Sequence, residues 1–340
     1  MTKHYRNIDF LKGLCIIIVV IEHSKWSSTI WKNGLFPIWD RFAIPCFMVI
    51  SGFVYTKSFL KKDSIKEYYS IKNLIHKLFR YLIPFAIAYT LEILVYFIIN
   101  KTNVMNYFGY YPQSDISARI SILVIIKNFF TGGYGTGNYY TPVILQLVLC
   151  FPLLYMLIKK NEHKGLIISF FLCLLSEVLQ YFFGIPNSIY RLLILRHMFA
   201  ICFGIYISLG YYKKNILLNV VSAIIGLTYI IFHSYFGFTP FFFNRNWADV
   251  NFIACLFFAP LVALLIEDAK LTFRPLEEIG KASYHIYLTQ MVYYWAVKKE
   301  IMINIIHNNY LYALFNVIIC VLVGYLFYLF DNEIIRRRSS

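Results

Sequence analysis

Charge is what this chain lacks. Only 14% of its 340 residues are Asp, Glu, Lys or Arg, whereas a soluble domain carries about a quarter. Acidic residues are the scarcer sign, 17 against 32 basic ones, for a formal net charge of +15. The seven cysteines (Cys15, Cys46, Cys150, Cys173, Cys202, Cys255 and Cys320) include no CxxC pair. That excludes a zinc ribbon and a dithiol redox motif, and all seven read as small apolar residues inside apolar runs. The Gly-rich stretch Gly132–Gly137 has no Gly-Lys-Ser/Thr after it. It is therefore no phosphate loop and reads as a flexible turn. No small-residue cleavage site follows the first apolar stretch, so the N-terminus reads as a retained span rather than a signal peptide. No internal repeat, low-complexity tract or second soluble domain is visible, and residues 1–340 read as one domain.

What is present is apolar. Hydrophobic residues make up 59% of the chain and aromatics 19%, with a mean hydropathy of +0.62. This composition predicts an all-α, polytopic integral membrane protein. A span needs about twenty mostly apolar residues. Ten segments qualify: 8–23, 42–60, 79–99, 139–158, 165–184, 192–211, 216–236, 250–267, 282–300 and 310–331. With a cytoplasmic N-terminus, about twenty Lys and Arg fall inside and about ten outside, the bias expected of cytoplasmic loops. Both termini are then cytoplasmic, and an odd helix count would put Arg336, Arg337 and Arg338 outside. The basic residues sit between apolar runs rather than on one face, so nucleic acid is not the expected partner. The longest external segment, about 100–138, holds Tyr107, Phe108, Tyr110, Tyr111 and Pro112. Its apolar part, Ile120 to Phe130, is too short to span and is expected at the interface or as a re-entrant piece.

Five constellations carry possible chemistry. The first helix holds Asp9, Lys12, Glu22 and His23 within an otherwise apolar run. Ionisable groups in a span are costly and usually face a cavity or a partner. Lys12 and His23 are eleven residues apart, about three helical turns, so they share a stripe roughly 16 Å long. Glu22 diverges from His23 by about 100° and is not its natural orienting partner. The entry to helix two, Arg41 to Phe53, includes Ser51, which can hydrogen-bond across helices, and Gly52, which admits a close neighbour. Before helix three, Lys77 and Arg80 lie at i,i+3 ahead of Pro84. They can hold phosphates or simply anchor the cytoplasmic face. Helix four opens with Tyr140 and carries Gln146, which needs a polar partner. Arg196 and His197 form a further ionisable pair in helix six, with Arg196 toward the external side. Helix nine opens with Ser283, Tyr284 and His285. Ser283, Tyr287 and Gln290 make one polar stripe, with His285 off it and expected at the interface.

These residues resemble a known family. R-x-x-D-x-L-[RK]-G followed by a histidine eleven residues after the basic one is similar to helix one of the acyltransferase-3 family. So are R-F-A-[VI]-P-x-F…S-G before helix two, K-L-F-R-x-L-x-P before helix three and S-Y-x-I-Y-L in helix nine. The order of these segments matches over nearly the whole chain. The likeness is closest to the stand-alone branch of fucose O-acetylase-like and surface-polysaccharide O-acetyltransferases.

The resemblance implies an O-acyltransferase that moves an acyl group, most often acetyl, from cytoplasmic acyl-CoA to a hydroxyl of an extracytoplasmic glycan. Acetyl-CoA would be the donor, with no metal; a glycan and membrane lipid would be the partners; the bacterial plasma membrane would be the location. The family's essential histidine falls on His23, its first-helix cation on Lys12, and its basic pair on Lys77 and Arg80. Two positions depart from the commoner pattern. Lys12 replaces Arg, which turns a fork into a point charge, and Gln290 stands where many members have His. Asp9, Glu22, Arg41, Ser51, Tyr140, Gln146, Arg196, Tyr284 and Gln290 are expected to support the site. With no appended esterase-like domain, the chain is expected to complete the transfer itself or to hand over to a separate protein. His23 would act as general base or form an acyl-histidine. The same helices and histidine also fit a proton-coupled transporter or flippase for an anionic or glycolipid substrate, although no paired repeat of interrupted helices is seen.

Overall fold

The computed structural model describes residues 5–24, 26–34, 36–61, 64–100, 122–238, 251–267, 269, 271–297 and 306–339. Every one of the ten apolar segments contains a helix. In chain order the main helices are α1 (Arg6–His23), α2 (Ala43–Phe59), α3 (Ile71–Asn100), α4 (Tyr140–Lys160), α5 (Glu162–Phe182), α6 (Met198–Ser208), α7 (Ile216–Phe236) and α8 (Asn251–Glu267). The short α9 (Arg274–Lys281), α10 (Ser283–Ala296) and α11 (Asn309–Ser339) follow. No strand occurs among the described residues. The segments Tyr140–Lys160, Glu162–Phe182, Tyr212–Phe236 and Asn309–Ile334 are long and apolar enough to cross a membrane. The aromatic cluster Tyr107–Pro112 and the side chains of Arg336–Arg338 lie outside what is described.

The helices sort into an inner and an outer set. All residues of α6 are buried, as befits a helix that is hydrophobic all round. By contrast, only 17% of the apolar window ending in α7 and 22% of that in α11 are buried. Leu217, Ile224, Phe171 and Leu326 stand exposed on α7, α5 and α11. Large apolar side chains facing outward on long apolar helices are what a lipid-facing surface requires.

Small residues set the inner crossings. At the α2–α6 crossing, a Cβ on Gly52 would strike the carbonyl of Ile201, and one on Gly204 would strike that of Val49. The expectation for Gly52 is thus met: its missing side chain lets two backbones touch. At the α1–α9 crossing Gly13 lies against Leu276 and Gly280 against Asp9. The same crossing is clamped by Arg6, whose Nε and a terminal nitrogen donate to the two Glu277 oxygens at 2.9 Å each.

The fold adds detail to three sequence expectations. Arg196 and His197 lie in a 3₁₀ turn, Ile194–His197, that opens the helical run Ile194–Ser208. Gln146 claims backbone groups here: its Nε2 donates to the Leu192 carbonyl at 2.6 Å and its Oε1 accepts from Ile194 N at 3.0 Å. His285 is buried at its helix entry, because α11 supplies Asp331, whose Oδ2 lies 3.0 Å from His285 Nε2. The Gly-rich stretch is no loose turn, since Gly132, Gly133 and Gly135 are all buried.

Candidate active site

His23 ends α1. Its Nδ1 lies 2.7 Å from Gln290 Oε1, a group 267 residues away on α10. The Gln290 amide is oriented by a second bond, in which Nε2 donates to the Thr136 carbonyl at 3.2 Å. A flipped amide would set two oxygens against each other, so Oε1 faces His23 and Nδ1 must carry the proton. The basic lone pair then belongs to Nε2, and no described residue hydrogen-bonds it. Gln290 thus holds the imidazole in a single tautomer.

The Gly-rich loop forms the other wall. Gly132, Gly133 and Gly137 have φ of +90°, +89° and +84°, which non-glycine residues rarely adopt. A Cβ at Gly137 would lie 3.3 Å from His23 Cε1. The Gly137 carbonyl accepts from the Tyr287 hydroxyl at 3.0 Å. Glu92 of α3 holds the loop from behind: its two oxygens accept from Tyr134 N at 3.1 Å and Gly135 N at 3.0 Å. Glu92 is 1% exposed. Sequence reasoning passed over it, although a carboxylate inside an apolar run is itself the signal.

A line of tyrosines runs from this histidine toward the basic pair. Tyr287 packs on Tyr140 with centroids 5.2 Å apart and on Tyr284 at 6.0 Å. Tyr284 meets Tyr81 edge to face at 5.3 Å, and its hydroxyl donates to the Tyr81 carbonyl at 3.0 Å. The Tyr81 and Tyr55 hydroxyls are 3.5 Å apart. Beyond them Lys77 Nζ stands 5.9 Å from the Tyr55 ring and 3.4 Å from that of Tyr68, a cation–π seat. Arg80, one turn on, is exposed. Tyr140 also faces Ser51, whose hydroxyl donates to the Phe47 carbonyl of its own helix at 2.8 Å.

The other expected residues divide. Lys12 Nζ lies 3.2 Å from Asp9 Oδ1, so this cation is already balanced by a carboxylate one turn away. Glu22 and Arg41 lie within electrostatic reach of each other. Gln146 takes the structural role described above, and the 3₁₀ turn it pins carries Arg196, whose guanidinium sits 5.7 Å from the Tyr190 ring. Among the described residues no group of three or more His, Cys, Asp or Glu could hold a metal ion.

A family model describing an acyltransferase domain, acyltransferase-3, matches residues 5–329. No curated protein and no solved structure matches the chain.

Proposed function

The chain belongs to the acyltransferase-3 family, and on that premise we propose that it transfers an acyl group, acetyl in the first instance, from cytoplasmic acyl-CoA to a sugar hydroxyl. In this reading ten helices cross the membrane with both termini cytoplasmic. One observation carries the assignment: an imidazole held in one tautomer stands at the end of an unbroken tyrosine line that begins at Lys77 and Arg80.

The donor's phosphates are bound by Lys77 and Arg80, the guanidinium in bidentate fashion. The pantetheine arm follows the line Tyr55, Tyr81, Tyr284, Tyr287, where flat amphipathic rings offer both an apolar face and a hydroxyl. The acceptor hydroxyl gives its proton to His23 Nε2 as its oxygen attacks the thioester carbonyl. The carbon–sulfur bond then breaks, and the same proton passes from Nε2 to the departing thiolate. The products are an ester and CoA, and His23 returns to its starting state. General-base catalysis of this kind contributes about 10²–10⁴-fold. Lys12, paired with Asp9, is left to shape the field at the mouth rather than to grip a phosphate.

Calorimetry of acetyl-CoA binding to the detergent-purified protein tests this. Saturable binding is expected, weakened at least tenfold by Lys77→Ala with Arg80→Ala. A folded protein that binds no acetyl-CoA would overturn the donor assignment.

A further inference from the structure

Around Tyr139, close in the chain to the Gly137 wall of the His23 site, the structure gathers cations that the transfer chemistry does not use. Tyr139, two residues after Gly137, is their centre. The His197 ring stacks on it at 5.9 Å with planes 12° apart. The charges of Glu22, Arg41, Arg191 and Arg196 all act on its hydroxyl. Arg191 also lies within electrostatic reach of Tyr287, the residue bonded to the Gly137 carbonyl. Three guanidiniums therefore lie within electrostatic reach of Tyr139, and the geometric link from it toward His23 is the chain itself, through Gly137. Two carboxylates oppose them, Glu22 at Tyr139 and Glu177 at Tyr190.

Three buried nitrogens in this cluster have no hydrogen-bond partner among the described residues: Arg191 Nε, Arg196 Nε and His197 Nε2, the last on a residue that is 4% exposed. Leaving such groups unsatisfied is costly, and a guanidinium Nε–H can only donate, so a site that holds it open is built for something that accepts hydrogen bonds. The turn that presents them is rigid: Arg191 N bonds the Asn187 carbonyl at 3.0 Å, and Gln146 fixes Leu192 and Ile194.

We propose that Arg191, together with His197 and the neighbouring Arg196 and Arg41, forms an anion subsite, and that the acceptor is a sugar bearing a carboxylate or phosphate close to its reactive hydroxyl. Binding that group would place the hydroxyl against His23 and fill the open hydrogen-bonding positions. A planar guanidinium suits both anions, in bidentate fashion. The inference rests on the acyl-transfer reading for the word acceptor, but its test does not.

The test is saturation-transfer NMR on the full chain in phosphatidylcholine nanodiscs, with glucuronate, glucose 1-phosphate and neutral glucose as probes. The same samples are titrated with acetyl-CoA by calorimetry. At least one charged sugar is expected to bind ten times or more tightly than glucose. Arg191→Gln should erase that preference, and Arg191→Lys should restore part of it, with acetyl-CoA affinity unchanged within twofold in both. Binding of glucuronate alone would identify a carboxylate, and of glucose 1-phosphate alone a phosphate. Glucose bound as well as either anion, no sugar bound, or an Arg191→Gln protein that keeps the preference would overturn the subsite. Sugar discrimination without acetyl-CoA binding would keep the subsite and overturn the donor; the reverse would do the opposite.

Discussion

His23 on the first helix and Gln290 on the tenth share a 2.7 Å hydrogen bond. The amide can only accept through the atom it presents, because its other end is committed to the Thr136 carbonyl. A neutral partner of this kind selects a tautomer without adding a charge. The imidazole keeps its basic lone pair on Nε2 while its other nitrogen is held, the arrangement that the proposed proton transfer needs.

Replacing His23 by Ala should abolish transfer while leaving acetyl-CoA affinity intact. Gln290→Ala should keep binding as well, but lower kcat by about 10²-fold, the scale of a misplaced catalytic group. Steady-state rates beside calorimetric affinities separate the two effects. A Gln290→Ala enzyme at full kcat would show that the amide orients nothing.

Glu92 is predicted to act through the loop it holds. Glu92→Ala would leave the buried backbone N–H of Gly135 without its acceptor and cost about 1–3 kcal/mol. The Thr136 and Gly137 carbonyls would then move, and with them Gln290 and Tyr287. Lower kcat, unchanged donor affinity and a lower Tm in detergent are the expected results. A variant with lower Tm but normal kcat would confine Glu92 to stability.

Gly52→Ala or Gly204→Ala should be among the most damaging single changes outside the site. Each added methyl meets a backbone carbonyl of the partner helix, which cannot rotate aside as a side chain can. Overpacking costs typically about 1–3 kcal/mol. Detergent thermal-shift curves should show both variants well below Gly184→Ala, because a Cβ at Gly184 has no atom within 4 Å and only its φ of +60° resists the change.

Arg6 holds the Glu277 carboxyl below the usual carboxylate range, through the paired hydrogen bonds first and its charge second. The contribution of this clamp to stability is complete above the ordinary Glu value of about 4.3. It is lost as pH falls through the depressed folded value, where Glu277 takes up a proton in the native protein too. Glu277→Gln should therefore lower Tm near neutral pH, and the gap from the parent protein should close in acid. A gap that persists unchanged to low pH would mean that the α1–α9 contact depends on packing at Gly13 and Gly280 rather than on the ion pair.

Several features were legible before any coordinates. The ten apolar segments all contain helices, because a run of about twenty apolar residues has few other ways to satisfy its backbone in lipid. The close approach at Gly52 followed from its lack of a side chain, and the need of Gln146 for a partner followed from its polarity. The resemblance that led to His23, Lys77 and Arg80 rested on motifs a few residues long, each readable within one helix.

Other features resisted the same reading. The stretch from Gly132 to Gly137 has the composition of a flexible turn, and composition cannot reveal a carboxylate on α3 waiting to bind its amides. The place of His285 near a helix start is local information, whereas Asp331, its hydrogen-bond partner, arrives 46 positions later. Arg191 counted only as one external base among several until the fold set it within electrostatic reach of Tyr139 and Tyr287.

By itself the sequence determined the helical segments and the membrane class, and its motifs nominated His23 as the candidate reactive side chain, since each depends on runs, periodicities or short motifs. Only the tertiary structure decided which nitrogen of His23 is basic, what holds the glycine loop, and where the surplus cations gather. Hydrogen bonds and charges act over a few ångströms in space, and the helix crossings decide which residues come that close.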